Sequence, residues 1–196
     1  MDPLSQPFEG SNFQSHPEFP GRLLVVGESA YLTSEDLLSE FTKVLLSGVA
    51  TGGRTSGGRI NYFRKLFFVL TGKRSRAVDD AKWKSVWNSL AFYHFVQTPL
   101  TGARQRPTVD DWQKSKAAFA RILARLNPAL VLMTGKQLNA CVRSIDGVIP
   151  HDEKSLRLPT VGQEFALATC ICHPSSSWFK SNEARGEFER LIATKS

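Results

Sequence analysis

Four short apolar runs punctuate the chain, and amphipathic stretches separate them. Leu23-Leu24-Val25-Val26 is continuous and stops at Gly27. A run of that length fits a strand buried on both faces, as in a parallel sheet. Ala129–Met133 repeats the pattern and is followed by Gly135. Phe165–Cys172 repeats it again and stops at His173-Pro174, because proline has no N–H to give a ladder. Part of 88–97, where Leu90, Phe92, Phe95 and Val96 mix with Asn88 and His94, reads as another strand. A loop from Pro99 to Pro107 follows it.

Between these runs the spacing becomes helical. Thr33 or Ser34 can cap a helix that carries Leu37, Leu38, Phe41, Val44 and Leu45, with Glu35 and Asp36 at its positive end. Residues 51–58 form a Gly-rich loop. A second helix covers about 59–71, with Ile60, Phe63, Leu66, Phe67 and Leu70 on one face. Thr108-Val109-Asp110-Asp111 resembles a capping box that opens a long amphipathic helix to Asn127, where Pro128 ends it. Short helices at 136–144 and 182–194 complete the pattern. Strands alternating with helices predict a three-layer α/β/α fold around a mostly parallel, four-stranded sheet. Residues 1–20, with four prolines among Ser, Gln and Asn, read as an irregular arm; 21–196 read as one domain.

Composition narrows the function. The 196 residues are 41% hydrophobic and 22% charged, which excludes disorder over most of the chain. Every apolar run is far shorter than the roughly 20 residues that span a bilayer, so no membrane association is expected. Three cysteines make no disulfide framework and point to a reducing cytoplasm. The net charge of +7 favours polyanionic partners, nucleic acid first. Residues 52–58 lack the Gly-Lys-Ser/Thr of a phosphate-binding loop, so nucleoside triphosphate chemistry is not expected. His16 and His151 show no metal-ligand spacing with the cysteines. Cys170 and Cys172 read as small core residues.

In parallel α/β folds ligands bind beyond the carboxyl ends of the strands. Three polar segments are candidates for that edge: Gly27-Glu28-Ser29-Ala30-Tyr31, Asn88 with its neighbours, and His173-Pro174-Ser175. In this order they resemble the uracil-DNA glycosylase superfamily. Gly-Glu-Ser-Ala-Tyr is similar to its first motif, and His173-Pro174-Ser175 matches its closing H-P-S. Trp87-Asn88-Ser89-Leu90 resembles the strand whose Asn reads the base. Arg106-Pro107-Thr108 through Leu138 is similar to the iron–sulfur branch. That branch needs four cysteine ligands and this chain has three, so no cluster and no cofactor is expected. Ser29 stands where the best-known branch has its water-orienting Asp.

The resemblance implies a monomeric DNA glycosylase acting on an extruded base. His173 would stabilise the departing base as a neutral donor, Asn88 would read its edge, and Glu28 or Ser29 would position water. An Asn amide matches uracil in one orientation and cytosine when rotated, so the base stays open. Tyr31 would wall the base pocket, and Phe63 or Tyr62 would stack on the base. Phe63 also lies on an apolar helical stripe, as a core residue would, and His94 reads as a satisfied strand histidine. Ser175 and Ser176 would grip the DNA backbone, with Lys73, Arg74, Arg76, Arg104 and Arg106 as phosphate contacts. An enlarged pyrimidine, such as a modified cytosine of phage DNA, is an alternative to uracil. A second function class is a non-catalytic nucleic-acid-binding module that keeps the pocket; a third is hydrolysis of a free nucleoside or nucleotide.

Overall fold

The computed structural model of the protein describes residues 6–29, 38–51, 58–98, 100, 102, 105–161 and 165–195. Seven strands form one mixed sheet: β1 (Phe8–Glu9), β2 (Leu23–Gly27), β3 (Leu90–His94), β4 (Leu130–Thr134), β5 (Ile149–Pro150), β6 (Ser155–Pro159) and β7 (Phe165–Ile171). Their spatial order is β1-β3-β2-β4-β7-β6-β5. The centre, β3-β2-β4-β7, is parallel throughout and comprises the four expected strands. The expected count of four is corrected to seven by antiparallel additions at both edges. Two of the additions, β1 and β5, are only two residues long. A pair that short leaves no periodicity to read.

Six helices are described: α1 (Leu38–Ala50), α2 (Gly58–Thr71), α3 (Asp80–Asn88), α4 (Val109–Leu126), α5 (Lys136–Arg143) and α6 (Ser181–Lys195). They cover both faces of the sheet. Leu23, Val25, Leu90, Phe92, Leu130 and Leu132 point to the face packed by α1, α2, α3 and α6. Leu24, Val26, Ala91, Tyr93, Val131 and Met133 point to the face packed by α4 and α5. Every residue of β2, β3 and β4 is therefore buried, which is why these strands read as unbroken apolar runs. No described helix is long and apolar enough to cross a membrane.

The helix punctuation works as its chemistry requires. Thr108 accepts from the Asp111 N–H, and Asp111 accepts from the Thr108 N–H, which closes the capping box of α4. Asn127 ends α4 in the left-handed conformation at φ 43°, one residue before Pro128. The proposed cap at Thr33 or Ser34 and most of the Gly-rich loop lie outside the described residues.

The N-terminal arm is irregular in path, but from residue 6 it belongs to the domain. Phe8, Phe13 and Phe19 are buried, and Gly10 lies flat on the backbone at the start of β3. A Cβ there would meet the Asn88 carbonyl oxygen at 2.3 Å. Backbone N–H groups of Gly10 and Asn12 donate to the carbonyls of Leu90 and Asn88. The aromatic residues among the prolines carry this packing.

Candidate active site

The parallel strands bring their carboxyl ends to one edge of the sheet. Gly27 of β2 is level with His94 of β3 and Thr134 of β4, and Thr134 is level with Ile171 of β7. The next residues, Glu28, Gly135 and the Cys172-His173 pair, therefore share that edge. Glu28 and His173 leave strands separated only by β4, about 10 Å apart across the sheet.

His173 is the best-defined group of the site. Its Nδ1 accepts the Ser175 N–H at 3.2 Å. A neutral ring that accepts at Nδ1 carries its proton on Nε2, so the other nitrogen is a donor. Burial holds the His173 pKa below its ordinary value, and the nearby Lys65 ammonium pushes in the same direction. Lys65 also donates from Nζ to the Pro174 carbonyl at 2.6 Å, which pins the loop to α2. On the same helix the Tyr62 ring lies 5.3 Å from the His173 ring. Thr134 Oγ1 donates to the Val26 carbonyl, so the Tyr62 hydroxyl donates to Thr134 at 3.0 Å. Tyr62 is thus a fixed wall beside the imidazole.

Glu28 lies over the turn from β4 into α5. Gly135, the residue before that helix, has φ 137°, and a Cβ built on it would stand 2.9 Å from Glu28 Oε2. Burial raises the Glu28 pKa, and the Arg106 guanidinium partly opposes this. Half-buried Ser29 follows it. A carboxylate with a raised pKa and, one strand beyond its neighbour, a neutral imidazole donor put a candidate base and a candidate donor on one edge.

His94 occupies the same edge, at the end of β3. It is buried, its Nδ1 lies 2.8 Å from Thr42 Oγ1 of α1, and Gln97 donates from Nε2 to its carbonyl at 2.8 Å. Burial first, and the neighbouring His173 second, push its pKa down to about 4. A His/His/Glu group is an obvious metal candidate by composition, yet no set of three described His, Cys, Asp or Glu side chains is arranged to hold an ion.

The structure corrects two of the expected site residues. Asn88 closes α3 and precedes β3, so it lies at the opposite edge, a strand length of about 16 Å away. Its Nδ2 donates to the Lys84 carbonyl one turn back. Asn88→Ala should therefore leave the site intact, with a stability change within about 0.5 kcal/mol. A urea midpoint measured beside single-turnover base release checks this, and a large loss of release would contradict the placement. Phe63 does not face the site. It is buried in the core against Trp87, with ring centroids 5.5 Å apart, and Tyr62 takes the site-facing position instead.

The remaining candidates separate. Ser175 stays exposed beside His173, while Ser176 Oγ accepts the Trp178 N–H and so shapes the loop. Arg74 and Arg76 line an open groove next to this loop. Lys73 lies toward Glu18 instead, whose pKa its charge helps lower, and Arg106 lies toward Glu28. Tyr31 and Arg104 lie outside the described residues. Of the two rings that sequence reading offered for the site, Tyr62 is the one beside it; His94 as a site group, Thr42, Lys65 and the 83% exposed Trp178 were missed. No protein-family model and no curated protein matches the chain.

Proposed function

We propose that the protein is a DNA glycosylase of the uracil-DNA glycosylase type, which hydrolyses the N-glycosidic bond of an extruded base. The observation that carries this reading is the fixed tautomer of His173 on the edge that also bears Glu28. In the proposed reaction the bond from the sugar C1′ to the base nitrogen breaks, and its electron pair leaves with the base. The His173 Nε2–H donates to the base oxygen on which that charge gathers. Water adds to C1′ and yields a proton to the Glu28 carboxylate, and the released base anion takes a proton from solvent. Tyr62 walls the site, and His94 lies on the same edge.

Trp178 supports the same reading. Its exposed ring follows the His173 loop by five residues, where an apolar wedge can fill the gap left by an extruded base. The non-catalytic binding module is the second reading, favoured by Ser29 at the position of the water-orienting Asp.

The deciding experiment is base release from single-stranded and duplex DNA bearing uracil, hypoxanthine, or hydroxymethylated or glucosylated cytosine. The glycosylase reading expects one of these bases to be released. It also expects an acid limb: the rate falls as pH drops and Glu28 takes up its proton, with a midpoint above the ordinary 4.5. Glu28→Gln should remove that limb. Tight binding of the same DNAs with no base released would favour the binding module.

A further inference from the structure

A second feature adjoins the site. An open groove of about 720 Å³ runs between α2, the turn at 75–77 and the first turn of α6. Arg64, Lys65, Arg74, Arg76 and Lys180 line it, against one carboxylate, Glu183. That carboxylate is already engaged by Lys180 at 2.8 Å. The side chains of Arg64, Arg74 and Arg76 have no carboxylate partner among the described residues. Some surface cations elsewhere stand beside acids, such as Lys82 by Glu18 and Arg125 by Glu9, and others such as Lys84 and Arg121 do not among the described residues; what sets these three apart is that they converge on one groove. Three guanidiniums facing one groove give it a positive potential that favours an anion there. Ser181 and Asn182 add a hydroxyl and an amide at the start of α6.

The groove is joined to the catalytic edge. Lys65 lines it and also holds the Pro174 carbonyl, one residue from His173. It is open to solvent, it meets the site on the His173 side through Lys65, and its arginines come from two separate elements. Guanidinium forks match phosphate oxygens, and several along a channel match a chain of phosphates. We propose that this groove is a backbone track, which holds the phosphates of the nucleic-acid strand on one side of the substrate nucleotide. The proposal extends the glycosylase reading by giving the substrate strand a path and by excluding free nucleosides as good substrates.

The test uses the full chain and the triple variant Arg64→Ala/Arg74→Ala/Arg76→Ala. The first readout is binding of a single-stranded oligodeoxynucleotide of ordinary bases across a salt series. Each phosphate contact to a single strand contributes about 0.7 to the slope of log affinity on log salt, so the variant should lose about two units. An unchanged slope overturns the proposal. The second readout uses oligonucleotides with one abasic-site analogue, shortened from either side. The parent should lose affinity when one flank is shortened and little when the other is, and the variant should be insensitive to both. Equal losses on both flanks overturn the one-sided track. Displacement by millimolar inorganic phosphate, beyond a chloride control of equal ionic strength and without flank dependence, would identify a free-phosphate site and overturn it too. The first readout needs no excisable base. Lost slope in a protein that releases no base sustains the track and removes the glycosylase reading; base release with an unchanged slope does the reverse.

Discussion

His173→Ala should slow single-turnover base release by about 10²- to 10³-fold, the usual cost of one donor aimed at developing charge. Oligonucleotide affinity should change little, because the proposed reaction aims the ring at the base and the proposed track gives the backbone contacts to the groove cations. The structure gives the reason for so large an effect. Ser175 accounts for Nδ1, Tyr62 walls the ring, and Lys65 fixes the following proline, so the Nε2 donor is set before substrate arrives. Preorganised donors cost no rearrangement at the moment of reaction. His173→Gln is the informative companion, since an amide keeps a donor but not its aim, and it should fall between parent and alanine variant. Alanine rates within about twofold of the parent would remove His173 from the mechanism.

Gly135→Ala should damage both stability and the pH profile. The backbone at φ 137° is one that residues with a Cβ avoid, at a cost of about 1–3 kcal/mol. The added methyl would also stand 2.9 Å from Glu28 Oε2, so the carboxylate must move. A lowered urea midpoint together with a displaced acid limb of base release is the expected pair of results. A lowered midpoint alone would mean that Glu28 gives way without consequence, and that another group positions water.

The parallel centre of the sheet was legible because strands buried on both faces leave unbroken apolar runs. The edges were not, because β1 and β5 pair over two residues and β6 alternates between buried and half-exposed positions. The site was legible where chain direction was respected. Glu28 and His173 follow their apolar runs, and residues that follow a parallel strand share the ligand-binding edge. Asn88 precedes its run, and by that rule His94 was the residue to choose. Trp83, Val86 and Trp87, at i, i+3 and i+4, carry the helical spacing of α3 that places Asn88 at a helix end. Phe63 and Tyr62 are neighbours about 100° apart around one helix, and sequence alone did not say which faced the strand ends. The groove was half visible, in Arg74 and Arg76. Arg64 and Lys180 are more than a hundred residues apart, so only folding joins them.

The arm that crosses the start of β3 has a consequence for handling the protein. Among the described residues, β1 and the Gly10 N–H that follows it pair with the outer side of β3, whose five residues are buried on both faces. Without them, Leu90–His94 would present a bare row of N–H and C=O groups on an apolar strand. Such an edge recruits strands from other molecules. Trimming the first twenty residues to obtain a tidier domain would therefore leave a preparation prone to edge-to-edge aggregation. At the far side of the sheet the brief β5, ending in Pro150, guards against the same fate without help from the arm.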